Sequence, residues 1–185
     1  MLESEGRTKL APLTLRGRTF VWGSRTFVMG IINVTPDSFS GDGVAGDIEE
    51  ALARARAMQQ AGADIIDVGG ESTRPGHVPV SEEEESARVL PVVGALRDAL
   101  DIPISIDTFK PAVAARAVEL GADMINCVWG AYPGIAEAAA TKCVPLVVMH
   151  NRASADYAGD VVDEVIASLD RTAHDALAAG VPREH

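Results

Sequence analysis

Short apolar runs recur along the chain, three of them ending in polar side chains, and each is followed by a segment of helical periodicity. The first, Val28 to Ile32 with Val34, reads as a fully buried strand that stops in Asn33, Thr35, Asp37 and Ser38 before Gly41 and Gly43. Ile65–Val68 and the run from Ile104 repeat the design, and further strands are read at Met124–Val128 and Leu146–Met149. Helices are predicted between them. Asp47 can cap one that runs to about Gly62. Ser81 with Glu84 forms a capping box for another to about Leu100, with Val89, Val92, Val93 and Leu96 as its buried stripe. Pro111 suits the first position of a helix to Leu120, because its missing N–H costs nothing there. A short helix near Gly134–Thr141 and a final one over about Asp160–Ala179 complete the pattern.

Strand and helix alternate throughout, which predicts βαβ units and a parallel sheet. An internal repeat agrees: Ala61-Gly62-Ala63-Asp64-Ile65-Ile66 matches Leu120-Gly121-Ala122-Asp123-Met124-Ile125, and the same interval from Gly121 lands on Gly180. The fold class expected is α/β, a (β/α)8 barrel of which about the first five units are present, with strands 6 to 8 missing and an unpaired edge in their place. An open doubly wound sheet is the alternative, but no GxGxxG follows the first strand. Leu13–Phe27 alternates apolar and polar around Gly17 and Gly23, which predicts an N-terminal hairpin that plugs the barrel end away from the site. Residues 1–12 are expected as a flexible tail and 13–185 as the barrel domain.

Composition narrows the class. The chain has 185 residues, 47% hydrophobic and 23% charged, enough for a sizeable core. Its formal net charge of −11 argues against nucleic acid and anionic membrane surfaces. Much of that charge is assigned to helix surface, with Glu82 to Glu85 as a solvated first turn, while Arg74 and Lys110 are local cations available to an anionic substrate. Cys127 and Cys143 lie in apolar contexts and read as buried free thiols of a reducing, cytoplasmic compartment. Neither a membrane span nor a signal-peptide core is visible.

Three strands ending in polar groups point to one shared site at one end of the sheet. Asn33 offers a neutral oxygen suited to Mg²⁺ that is mostly held by phosphates and water; a plain strand-end cap is the alternative. Asp107 ends an apolar strand, where an ionised carboxylate is costly unless paired. It can accept two adjacent N–H groups of a heterocycle edge, or else cap the next helix near Lys110. Asn126 carries both donor and acceptor. Arg74 suits a bidentate anion contact, and Asp37 and Phe39 occupy a loop able to close over the site.

Met29-Gly30-Ile31-Ile32-Asn33-Val34-Thr35-Pro36-Asp37-Ser38-Phe39-Ser40 and Asp67-Val68-Gly69-Gly70-Glu71-Ser72-Thr73-Arg74-Pro75-Gly76, with Ile106-Asp107-Thr108 and Met149-His150 in support, closely resemble the dihydropteroate synthases of folate biosynthesis. The resemblance runs from about Phe27 to the chain end. It implies a barrel that condenses 6-hydroxymethyl-7,8-dihydropterin pyrophosphate with p-aminobenzoate, giving 7,8-dihydropteroate and pyrophosphate, with Mg²⁺ as cofactor. The C–O bond to pyrophosphate then breaks largely before the amine attacks, through a cation-like methylene. By the same resemblance Asn33 is the metal-associated position, and Asp107 and Asn126 belong to the pterin pocket. Thr73 contacts pterin or pyrophosphate, Arg74 the anionic substrate, and Phe39 the p-aminobenzoate ring beside Asp37. Asp67 and Glu71 stand behind these groups. Cys127 replaces the acid the family usually carries after Asn126, and Trp129 stands where a small residue is common. The family's further acid, lysine and arginine-histidine pair come from later strands, and its homodimer contacts from late helices. A shortened, non-catalytic pterin-binding paralogue is one alternative. A methyltetrahydrofolate-dependent methyltransferase is another, disfavoured by the Asn-Val-Thr-Pro-Asp-Ser-Phe loop.

Overall fold

A computed structural model describes residues 10–35, 44–71, 79–130, 132–152 and 156–185. Strands β1 (Leu13–Leu15) and β2 (Arg18–Phe20) form an antiparallel hairpin. Then follow β3 (Met29–Asn33), α1 (Val44–Gln60), β4 (Ile65–Gly69), α2 (Glu82–Ala99), β5 (Ile104–Asp107), α3 (Pro111–Glu119), β6 (Met124–Cys127), α4 (Ile135–Lys142), β7 (Leu146–Val148) and α5 (Val161–Ala178). The five strands β3 to β7 pair in parallel and in chain order. That order is the progression of a (β/α)8 barrel, of which these are five consecutive strand–helix units; a doubly wound sheet would reverse its order at a switch point. Leu146 N donates to His185 O at 2.9 Å, so the chain returns beside β7 after α5.

The repeat read from the sequence has a backbone cause. Gly62, Gly121 and Gly180 follow the ends of α1, α3 and α5 with φ of +100°, +109° and +98°. Each N–H closes the preceding turn at 3.0 Å, onto Gln59 O, Val118 O and Leu177 O. A residue with φ in this range stops a helix at low cost only as glycine.

Alternation along the strands sorts the core. Ile32, Ile66, Val68, Ile104, Ile106 and Ile125 are buried against the helices, where Val89, Val92, Val93 and Leu96 of α2 meet Val113, Ala114 and Ala117 of α3. Burying each large aliphatic here contributes roughly 1.5–3 kcal/mol. The hairpin behaves as expected: Leu15 and Phe20 cluster with Ile65 and Met124 at the amino ends of the strands, away from the polar ends. Its turn has φ of +47° at Arg16 and +73° at Gly17, the two positive values a two-residue hairpin of this hand needs. Arg16 also donates to Ile102 O (3.1 Å) and Arg97 O (2.7 Å), which pins the hairpin to the end of α2.

Several expectations are corrected. β3 is only half-buried: Ile32 and Val34 are covered, whereas Ile31 is 59% exposed, because β3 is an edge strand of this sheet and Ile31 faces away from the helices. α1 starts at Val44, ahead of Asp47. Cys143 is an exposed thiol at the C-cap of α4 with φ +55°, since the apolar run that forms β7 begins after it; Cys127 is buried as expected. Within α2, Ser81 Oγ accepts from Glu84 N at 3.1 Å, but the Glu84 carboxylate pairs with Arg88 instead of closing the capping box.

Gly70 marks the tightest contact between sheet and helix. A Cβ there would stand 2.6 Å from Val89 Cγ1 and 3.0 Å from Glu85 Cγ, so β4 reaches α2 only without a side chain. Gly70→Ala is expected to destabilise the protein by about 1–3 kcal/mol through overpacking. Chemical denaturation against the parent checks this, and unchanged stability would refute the close approach.

Candidate active site

The polar strand ends meet because the parallel register aligns them. Asn33 pairs with Gly69, Gly69 with Asp107, Asp107 with Asn126 and Asn126 with Val147, so one row crosses all five strands at their carboxyl ends. Its neighbours in sequence, Ile32, Val68, Ile106 and Ile125, face the helices, which turns the row to the opposite face. A Cβ on Gly69 would lie 3.6 Å from both Asn33 Oδ1 and Asp107 Oδ2, so the glycine keeps the space between those two groups open. One step back along the strands run Ile31, Asp67, Ser105 and Met124.

Asp67 supports the row from below. Its Oδ2 accepts from Asn126 Nδ2 at 3.0 Å, which turns the Asn126 carbonyl oxygen away from Asp67. Asp67 is 3% exposed, and among the described residues its Oδ1 meets no partner at full hydrogen-bond geometry. Burial pushes its carboxyl above the usual range, with the nearby Ser105 hydroxyl and then the Asn126 amide opposing. Asp107 is pushed up further, to about 7, by burial first and then by the charges of Asp67 and Glu85. Asp107 therefore holds a proton unusually firmly for a carboxyl and changes charge near neutral pH. It does not cap α3, since the Lys110 N-cap position has no side-chain cap. The turn is closed by Thr108, whose Oγ1 accepts from Lys110 N and whose N donates to Asn126 O, both at 3.1 Å.

Lys110 and Glu85 differ from their expected roles. The Lys110 ammonium donates to both Glu71 and Glu85, and the three side chains are only 13%, 4% and 1% exposed. Burial pulls the Lys110 pKa down, but the two carboxylates outweigh it and hold it above its ordinary value. Lys110 is thus an internal counter-ion and not a cation free for a substrate. Glu82, Glu83 and Glu84 are solvated as expected, whereas Glu85 is buried. The signal was in the spacing: Glu85 stands four residues before Val89, on the same stripe as Val92, Val93 and Leu96.

Asp37, Phe39, Thr73 and Arg74 lie outside the described residues, as do Ser38 and the glycines of the first loop. Asn33 is exposed at the end of β3. No group of three or more His, Cys, Asp or Glu among the described residues is arranged to hold a metal. One neutral amide oxygen beside an open space suits a hydrated Mg²⁺ carried mainly by a phosphate-bearing ligand, not a protein cage. Cys127 lies next to Asn126; burial raises its thiol pKa, with the backbone at Trp129 and Tyr132 opposing, so it stays a neutral thiol.

Comparison with known proteins fits this geometry. The family model described as pterin binding enzyme matches residues 29–185. A dihydropteroate synthase of Clostridium beijerinckii is 45% identical over 175 residues, which are 94% of this chain and 65% of that protein. The solved structure of Xanthomonas albilineans dihydropteroate synthase with 4-aminobenzoic acid matches with a TM-score of 0.85 at 44% identity, covering 94% of this chain and 63% of that one. Dihydropteroate synthase of Clostridium difficile, solved in the presence of pteroic acid, matches with a TM-score of 0.84 at 43% identity, covering 87% and 62%. The chain thus spans less than two thirds of the length of each of these relatives. With a family model matched across all five barrel units and the polar row at their ends, the chain belongs to the pterin-binding enzyme family.

Proposed function

We propose that the protein is a dihydropteroate synthase, which joins 6-hydroxymethyl-7,8-dihydropterin pyrophosphate to p-aminobenzoate and releases pyrophosphate. The observation that carries the reading is the row Asn33, Gly69, Asp107, Asn126 at the strand ends. Close likeness to synthases solved with 4-aminobenzoic acid and with pteroic acid supports it. A pterin edge offers adjacent N–H donors; ionised Asp107 accepts two of them, and Asn126, its amide held by Asp67, reads the neighbouring edge. Asn33 is the position for Mg²⁺, which supplies charge neutralisation of the pyrophosphate leaving group. Thr73 and Arg74 take the pterin side and the anionic substrate, while Asp37 and Phe39 cover the reacting methylene and keep water from it. Residues beyond this chain's share of the relatives' length complete the anion binding, and a homodimer is the assembly the family resemblance implies.

The compartment assigned is the cytoplasm. No helix among the described residues is long and apolar enough to cross a membrane. Two free thiols, Cys127 and Cys143, suit a reducing environment.

The direct test is pyrophosphate release by the full-length protein from the pterin pyrophosphate with Mg²⁺. Release that requires p-aminobenzoate is expected; release indifferent to it, or none, would overturn the reading. Asp107 yields a second test. Its folded-state pKa of about 7 lies above its unfolded value, so its contribution to stability is fully present below about pH 4 and is lost as pH rises through about 7. Thermal unfolding of the ligand-free protein should therefore lose stability between those limits. Asp107→Asn should flatten that part of the profile and melt higher than the parent at pH 8. Identical pH profiles for the two proteins would contradict the assignment.

A further inference from the structure

We propose that Lys110 is a positioning residue for the pterin-binding row. Its ammonium, clamped between Glu71 and Glu85, fixes the carboxyl end of β4 against the turn after β5 and so sets Asp107 beside Gly69 and Asn126. The claim that the positioned groups bind pterin rests on the function proposed above.

The clamp joins three pieces that are each anchored elsewhere. Glu71 follows β4, whose Gly70 O accepts from Arg88 Nη1 at 2.9 Å while Gly70 abuts Val89. Glu85 belongs to the first turn of α2 and is almost fully buried. Lys110 ends the turn that begins at Asp107, and that turn is tied to β6 by Thr108 N donating to Asn126 O. The ammonium is thus the one described side chain that links the ends of β4 and α2 to the turn carrying Asp107 through charge-assisted bonds. Stability alone is a poor reason for it, because buried ion pairs are often matched or bettered by apolar residues of similar volume. Orientation is the better reason, since a shift of about 1 Å in a ligand-binding carboxylate can cost on the order of a hundredfold in function. One loose end fits an arrangement made for geometry: Glu85 Oε1 is buried without a partner.

The experiment compares Lys110→Met, Lys110→Arg and Glu85→Met in the full-length protein. Binding of 6-hydroxymethylpterin is measured by calorimetry, and amide hydrogen exchange is followed at Thr108. Lys110→Met is expected to weaken pterin binding about tenfold or more and to speed Thr108 exchange by a similar factor, while Lys110→Arg stays within about threefold of the parent. Parental affinity and parental exchange in Lys110→Met would overturn the proposal. If Lys110→Met, which strips the ammonium from buried Glu71 and Glu85, does not fold, Glu85→Met decides. It removes one arm of the clamp and an unpaired buried oxygen together, so it should fold, bind pterin at least threefold more weakly and exchange faster at Thr108; no change in either would overturn the proposal. A parent that does not bind pterin would refute the functional reading instead. The clamp would then stand or fall on Thr108 exchange alone.

Discussion

Parallel pairing in a single register is the constraint on which the site depends. Side chains alternate across a strand, so a slip of one residue between β4 and β5 would send Asp107 toward the helices and Ile106 into the site. The apolar set prevents the slip. Ile66, Val68, Ile104 and Ile106 are wholly buried against the helices, and each must face that way for the core to close. Hydrophobic packing on one face thereby places polar groups on the other with the accuracy of a strand ladder. The glycines that end α1, α3 and α5 act at the same level, stopping those helices at fixed points in every second unit.

Charge at the strand ends is managed within the fold. Asp67, Glu71, Glu85 and Asp107 lie at or behind the row, and among the described residues Lys110 is the cation placed to meet them. It neutralises Glu71 and Glu85, while Asp67 relies on the Asn126 amide. Among the described residues Asp107 has no such partner, and burial with nearby negative charge leaves it poised between protonation states. A ligand that donates hydrogen bonds to a carboxylate gains from such a group, because it supplies the stabilisation that the ligand-free protein withholds.

Most of the architecture was legible in the sequence because it is written in local patterns. The alternating strands, the Ser81 cap, Pro111 at the start of α3 and the repeat through Gly62, Gly121 and Gly180 each follow from backbone chemistry within a few residues. Asn33 and Asp107 were found because each ends an apolar strand in a polar group, and Asn126 through the family resemblance; the register brings all three into one row. What escaped was non-local. Nothing near Lys110 in sequence says that its ammonium reaches Glu71 and Glu85, 39 and 25 residues away. The exposure of Ile31 follows from where β3 lies in the sheet and not from its apolar neighbours.

A crystal structure of the full-length protein with 6-hydroxymethylpterin is the most direct measurement of the central claim, that the strand register lines up the row proposed to bind pterin. The ring edge should lie against Asp107 and Asn126, with both Asp107 oxygens accepting from the pterin and the Asn126 amide still bonded to Asp67. A pterin bound elsewhere, or one that reaches the row only after Asp107 and Asn126 have moved apart, would contradict it.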